Sequence, residues 1–331
     1  MDMALKEIEL KSLSRYRSEL MGVAIIFIML FHQPLGRESM FFGLYRMGNI
    51  GVEMFLFLSG IGLWFSWMKN PSMKYFYRKR LLRIYPTWII VASVYYLMNF
   101  DWQGAVMKDY VRLFCDITFY WSYWRNHSLT FWFVATIVLF YVFAPFYMKL
   151  IRRYPIYRWL PVLLIVFCVF MQYFKPVNLR FWDLEITWSR LPIFFIGINF
   201  GELVRGEERI EPASRWLILI SFVFSSALCI YLEQMIHGAF PMFIERLVYI
   251  PMSISLMILL TDLYNRMPAW SLKMLAFIGA ITLELYLIHE HFILEWLIPM
   301  NLGYWTTAGL TIASSIPLAW MLKQVTKKIP M

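Results

Sequence analysis

Two ionisable residues near the start of the sequence lie inside apolar stretches, where charge is costly and usually functional. His32 closes the run LMGVAIIFIMLFH, and Glu53 lies near the start of the run GVEMFLFLSGIGL. Histidine exchanges protons near neutral pH, which suits a general base, and a carboxylate can orient and charge-stabilise such a base. The alternatives are a histidine hydrogen-bonded at a membrane interface and a solvated glutamate at a helix start.

A second group of ionisable residues lies in the apolar stretch AFIGAITLELYLIHEHFILEWL. Five such residues in one span are hard to explain by packing alone. Glu284 lies deepest and His289 next, so we expect these two to line a central cavity that also holds His32. His291 and Glu295 are four residues apart, so simple pairing is the alternative for them. The H-E-x-x-H spacing of a zinc site does not occur, and we expect no metal.

A third group is the basic run KYFYRKRLLRIYPTW, which contains Arg78, Arg80 and Arg83. Arg80 and Arg83 are three residues apart and therefore share one helix face. Arginine side chains bind phosphates through two parallel hydrogen bonds, so this run is a candidate phosphate site. The alternative is a cluster that only anchors the chain at the cytoplasmic membrane surface.

These residues must be positioned by membrane-spanning helices. Hydrophobic residues make up 60% of the 331 residues, against roughly 45–50% in soluble domains. We therefore predict an all-α polytopic membrane protein, a bundle of about ten transmembrane helices. The predicted spans are 20–36, 48–68, 82–100, 129–148, 157–174, 188–204, 214–232, 243–262, 274–297 and 304–322. Residues 111–124 are apolar but contain Asp116, which predicts an interfacial or re-entrant segment.

Charge predicts the topology and the partners. The net charge is +10, which we assign to membrane lipids and topology rather than to nucleic acid. With the N-terminus in the cytoplasm, 22 of the 31 Lys and Arg residues fall on the inner side. That bias predicts a multi-pass protein of the cell (cytoplasmic) membrane with both termini in the cytoplasm.

The three cysteines show no C-x-x-C pair and are predicted to be small buried residues.

The order of the motifs resembles the acyltransferase 3 family of bacterial membrane O-acyltransferases. The resemblance covers nearly the whole chain and predicts one transmembrane acyltransferase domain over residues 1–331. Its motifs, in chain order, are MGVAIIFIMLFH, GVEMFLFLSG, FYRKRLLRIYPTW, HSLTFWFVATIVLFYVFAP, RLPIFFIGINFGE and LELYLIHEHF.

The resemblance implies transfer of an acetyl or other short acyl group from cytoplasmic acyl-CoA, with acetyl-CoA as co-substrate. The acceptor is a sugar hydroxyl of a cell-envelope glycan or lipid-linked sugar at the outer face. His32 is then the catalytic base, and Glu53 supports it. The residues assigned to the CoA phosphates are Arg78, Arg80 and Arg83. Those assigned to substrate binding are Ser59, Glu284 and His289.

One position departs from the family pattern. Family members usually carry an arginine upstream of the first-span histidine, where this chain has Met21. Arg17 and Glu19 are nearby, but neither has the family spacing.

A mechanism through a short-lived acetyl-histidine is an alternative. The alternative functions are a transporter or flippase of lipid-linked sugars, in which buried His and Glu relay protons, and a non-enzymatic membrane sensor.

Overall fold

The computed structural model describes residues 7–126 and 128–328, and most of these residues are helical. The first nine α-helices are α1 (Ser12–Arg15), α2 (Arg17–Phe31), α3 (Phe42–Arg46), α4 (Ile50–Lys69), α5 (Met73–Met98), α6 (Met107–Phe119), α7 (Trp121–Asn126), α8 (Trp132–Arg153) and α9 (Leu160–Tyr173). The remaining nine are α10 (Lys175–Phe181), α11 (Glu185–Trp188), α12 (Leu191–Arg205), α13 (Ser214–Gln234), α14 (Met242–Tyr264), α15 (Ala269–Ala280), α16 (Thr282–Ile288), α17 (Glu295–Leu297) and α18 (Tyr304–Thr326).

Shorter elements join these helices. Four 3-10 turns cover Met47–Asn49, Pro155–Trp159, Trp182–Leu184 and Ile298–Met300, and a π-helix covers His289–Leu294. Within the described residues, extended pairing is limited to β1 (Ile8–Glu9) and β2 (Arg209–Ile210), which are antiparallel. The predicted all-α class is therefore confirmed.

The number of spans is lower than predicted. In the described part of the chain, six helices are long and apolar enough to cross a membrane, or seven if one bent helix pair is a single span. All ten predicted windows do contain helix, but α2 and α12 have only 15 residues each, a rise of about 22 Å. Helix α18 has 23 residues, but the hydroxyls of Thr307, Thr311 and Ser315 reduce its apolar character.

The predicted span 274–297 is broken rather than continuous. Helices α15 and α16 meet at a 62° bend. The π-helix follows directly and carries His289 at its first position. An ionisable cluster on an interrupted helix is a common arrangement at functional sites, because wide turns re-aim side chains.

The chain divides into two compact units. Of the described residues, the first unit contains those up to Pro71 together with Ala144–Thr282, and the second contains those from Ser72 to Phe143 together with those from Leu283 onward. In the first unit, α4 packs along α12. Gly60 and Gly197 permit the close approach of these two helices, because a Cβ at Gly197 would overlap the Phe57 carbonyl and a Cβ at Gly60 would overlap the α12 backbone.

In the second unit, α5 is tied to α6 by two hydrogen bonds. The Trp88 indole donates to the Ile117 carbonyl at 2.8 Å, and the Tyr85 hydroxyl donates to the Thr118 carbonyl at 2.8 Å. Helix α6 leaves Met107, Val111 and Phe114 exposed along one side. An outward apolar side is what the predicted interfacial segment requires.

The cysteines follow the prediction in two of three cases. Cys168 and Cys229 are buried, free thiols, whereas Cys115 is free and partly exposed. Cys115 is partly exposed because it lies on α6 between the exposed apolar side and the buried side that carries Asp116.

We expect Gly197→Ala to lower the melting temperature of the purified protein in detergent. The added methyl group must push α4 away from α12, and overpacking of this kind costs about 1–3 kcal/mol. Gly309→Ala in α18 is the matched control, because a Cβ at that position meets nothing within 4 Å. Equal melting temperatures for the two variants would contradict the close packing of α4 on α12.

Candidate active site

Glu53 lies in the first turn of α4 and is completely buried. Its Oε1 atom is 2.9 Å from Nε of Arg190, which is itself 1% exposed. Arg190 immediately precedes α12, and its Nη2 also donates to the Asn49 side-chain oxygen at 3.3 Å. The solvated-glutamate alternative is therefore wrong, because Glu53 is enclosed and ion-paired.

A second ion pair, between a buried arginine and a half-buried glutamate, belongs to the same unit. Nη2 of Arg246, on α14, is 3.1 Å from Oε2 of Glu185, at the start of α11. Arg246 also interacts electrostatically with Glu53 and Arg190. Two arginines and two glutamates thus neutralise each other inside the unit, as buried charge requires.

The buried polar groups continue along α14 and α3. The Tyr249 hydroxyl donates to Oε1 of Glu245 at 2.7 Å, and its oxygen also lies 3.4 Å from the Arg46 carbonyl. The Arg46 guanidinium lies 3.3 Å from Glu233 on α13. These contacts join three helices through side chains that are costly to bury unless they are paired.

His32 lies at the C-terminal end of α2 and is half-buried. The helix ends here because Pro34 follows two residues later and disfavours helical backbone before it. The His32 amide still donates to the Ile28 carbonyl at 3.1 Å, and its ring centre is 5.4 Å from that of Phe31. Its catalytic role, and the support of Glu53 for it, stay predictions.

Met21, the position that departs from the family pattern, is buried within α2. Arg17 lies one helical turn before it. Its Nε donates to the Leu58 carbonyl on α4 at 3.2 Å, and its guanidinium lies against Gly62. Arg17 therefore places a cation beside α4 at the helix end opposite His32.

In the second unit, Glu284 on α16 is completely buried. Its Oε1 accepts hydrogen bonds from Nζ of Lys323 at 3.0 Å and from the Thr87 hydroxyl at 3.4 Å. The carboxylate therefore joins α16 to α18 and α5. Thr307, Thr311 and Ser315, on the same helix as Lys323, are buried, whereas the large apolar side chains of this helix are mostly exposed. Helix α18 therefore turns its hydroxyl-bearing side toward the unit.

His289, at the start of the π-helix, is also completely buried. Its Nδ1 lies 2.8 Å from the Leu285 carbonyl and 3.1 Å from the Tyr286 carbonyl. Both partners are acceptors, so we assign the proton of the neutral ring to Nδ1. The Nε2 atom is then the basic nitrogen, as in a histidine that takes up a proton during catalysis.

His291 and Glu295 pair with each other, which was the alternative that their spacing of four residues suggested. Nδ1 of His291 is 2.6 Å from Oε1 of Glu295. The imidazole also packs against Tyr95 and Phe131, with ring centres 5.0 and 4.7 Å away. The pairing of these two residues is confirmed.

The three arginines of the basic run differ in exposure. Arg80 is 8% exposed, and its guanidinium lies 5.5 Å from the centre of the Phe76 ring and 5.9 Å from that of Tyr141. Arg78 and Arg83 are exposed. A simple surface anchor would keep all three arginines in solvent, so the burial of Arg80 among aromatic rings indicates a more specific position.

The predicted site residues fall into two sets. Ser59, which is half-buried in α4, belongs to the first unit with His32 and Glu53. The second unit contains Arg78, Arg80, Arg83, Glu284 and His289.

Sequence reasoning missed Arg190, Arg246 and Lys323. Arg190 and Arg246 stand at the edges of apolar runs, where a basic residue is normally assigned to topology. The available signal was the number of glutamates within apolar stretches, since every buried carboxylate needs a cation or a donor. Which cation serves which glutamate depends on helix packing.

The chain matches the model of the acyltransferase-domain family over residues 20–323. It therefore belongs to this family, and the motif resemblance is confirmed. No curated protein and no solved structure matches the chain significantly. The family match and the long apolar helices together show that the protein is a membrane acyltransferase.

We expect Arg190→Ala to reduce the free energy of unfolding by about 3–5 kcal/mol, because it leaves the Glu53 carboxylate buried without its cation. Denaturant titration in detergent micelles measures the change. Arg209→Ala is the control, since Arg209 pairs with Glu7 on an exposed surface, and it should leave the titration unchanged. The double variant Glu53→Gln/Arg190→Gln should recover part of the loss. No loss in Arg190→Ala would contradict a structural role for the pair.

Proposed function

We propose that the protein transfers an acetyl or other short acyl group from cytoplasmic acyl-CoA to a sugar hydroxyl of an envelope glycan or glycolipid. The observation that carries this proposal is the acyltransferase match over residues 20–323, which includes both His32 and the basic run. A transporter or a non-enzymatic sensor would not account for the match to an acyltransferase family.

In the proposed reaction, His32 accepts the proton of the sugar hydroxyl as its oxygen attacks the thioester carbonyl carbon. The new C–O bond forms, the C–S bond breaks, and the proton passes to the departing CoA sulfur. The position of His32 at the end of α2 supports this role, because a residue at a helix end is accessible from one side of the membrane. Glu53, whose charge is compensated by Arg190, supports His32 as a positioning residue of the same unit.

We assign Glu284, His289 and Ser59 to substrate binding. His289 has Nδ1 held by backbone carbonyls, so its Nε2 is oriented and can accept a hydrogen bond from a hydroxyl group. Glu284 holds this region of α16 in place through Lys323. His289 is the second candidate for the base.

The basic run is assigned to the CoA phosphates on the cytoplasmic side. Arg78 and Arg83 are exposed at the start of α5 and present forks suited to phosphate oxygens. This assignment agrees with a topology in which both termini are cytoplasmic, since five cationic residues cluster at this end of α5.

We expect His32→Ala to reduce acyl transfer by about 10²–10⁴-fold, the range for loss of a general base. Transfer of labelled acetyl from acetyl-CoA to the de-esterified envelope glycan measures it, with purified protein in nanodiscs. His237→Asn is the control, because His237 is exposed and has a backbone conformation that Asn also adopts. Near-normal turnover in His32→Ala would exclude His32 as the base and direct attention to His289.

We expect the lysine replacements Arg80→Lys and Arg83→Lys to weaken acetyl-CoA binding, because lysine keeps the charge but loses the two-point contact. Isothermal titration with acetyl-CoA measures the affinity. Arg152→Lys, at the exposed end of α8, is the matched control. If the double variant Arg80→Ala/Arg83→Ala binds acetyl-CoA normally, these two residues do not belong to the donor site.

A further inference from the structure

A cavity of about 380 Å³ lies in the second unit, where α5 ends and α6 begins. Small-molecule sites typically enclose roughly 300–1,000 Å³. Most of its lining side chains can form hydrogen bonds, and they include Tyr96, Asn99, Asp101, Arg112, Asp116 and Ser122. None of them belongs to the acyl-transfer residues assigned above.

Asp116 is the most unusual group in this lining, because it is only 5% exposed. Its Oδ2 lies 3.7 Å from Nε of Arg112, too far for a good hydrogen bond. Among the described residues, its Oδ1 has no hydrogen-bond partner. Buried carboxylate oxygens normally accept a hydrogen bond, so this cavity wall offers an acceptor that still needs a donor.

The other aspartates of the cavity are already engaged. Oδ1 of Asp101 accepts hydrogen bonds from the amides of Gln103 and Gly104, both at 3.2 Å. Oδ2 of Asp109 accepts from the Val106 amide at 3.0 Å. In the described structure, the aspartates of this cavity do not form a group of three with oxygens within 4.8 Å of one another. The arrangement therefore favours a neutral ligand with hydroxyl donors over a metal cation.

Aromatic rings adjoin the polar lining. Phe100 lines the cavity, and its ring centre is 4.8 Å from that of Trp102 and 5.3 Å from that of Tyr110. Trp102 and Tyr110 are 57% and 43% exposed. Exposed flat rings beside carboxylate, amide and hydroxyl groups match the chemistry of a pyranose, whose C–H faces pack on rings and whose hydroxyls donate to carboxylates.

We propose that this cavity binds a pyranose residue of the acceptor glycan and that Asp116 accepts a hydrogen bond from one of its hydroxyls. Helix α5 has 26 residues, a rise of about 39 Å, and its basic residues lie at the end far from the cavity. The inference rests on the proposed function: if the basic end faces the cytoplasm, the cavity faces the side where the glycan is presented.

The test uses the de-esterified envelope polysaccharide of the strain that carries this gene, with purified protein in nanodiscs. Acetyl transfer gives KM and kcat for this polysaccharide, and biolayer interferometry gives its binding without transfer. Asp116→Asn should raise the KM and the Kd for the polysaccharide about tenfold, because a hydrogen bond to a charged acceptor is lost. Its kcat and its KM for acetyl-CoA should not change. Asp183→Asn, outside the cavity, is the control.

The outcomes separate this site from the acyltransferase function. Normal transfer with an unchanged polysaccharide KM in Asp116→Asn overturns the site and leaves the function intact. If the wild-type protein binds the polysaccharide without transferring to it, loss of binding in Asp116→Asn still supports the site. Absence of polysaccharide binding by the wild type, or binding that EDTA abolishes and Ca²⁺ restores, overturns the site. If Asp116→Asn aggregates, Asn99→Ala replaces it, because Asn99 is exposed and its loss should not prevent folding.

Discussion

The first unit depends on the ion pair between Glu53 and Arg190. An ionised carboxylate in apolar surroundings costs several kcal/mol unless a cation compensates it. Because Glu53 is in the first turn of α4 and Arg190 immediately precedes α12, the pair fixes the ends of these two helices together. The glycines at positions 60 and 197 then allow the rest of both helices to pack closely. Charge sets where the helices meet, and small residues allow the contact to continue.

The second unit uses the same principle with different residues. Glu284 is buried, and Lys323 reaches it from α18. Helix α18 is less apolar than a typical span, but its hydroxyl-bearing side chains are buried within the unit. Pairing a carboxylate with a lysine near a helix end allows the ammonium to stay partly solvated, since Lys323 keeps about a quarter of its side chain exposed. This arrangement holds α16, and therefore the π-helix that begins at His289.

The proposed transfer from acyl-CoA needs a base with a defined basic nitrogen and cationic groups that hold the CoA phosphates. His289 shows how backbone carbonyls select the protonated nitrogen of a buried histidine. The arginines also divide by role. Arg190 and Arg246 are committed to glutamates within the first unit, whereas Arg78 and Arg83 remain exposed and accessible to an anionic ligand. Counting arginines along the chain does not reveal this division.

The sequence by itself determined the helical membrane class, the family, and the position of helix within every predicted window, because apolar runs and motif order are local properties. It also offered the pairing of His291 with Glu295 as an alternative that the structure confirms, since residues four apart on a helix are neighbours. Only the tertiary structure decided that Glu53 is paired with Arg190 and Glu284 with Lys323, because these partners are far apart in sequence and meet through helix packing. It likewise decided that the stretch around His289 is bent and that α2 and α12 are short, since hydropathy windows register composition but not where a helix breaks.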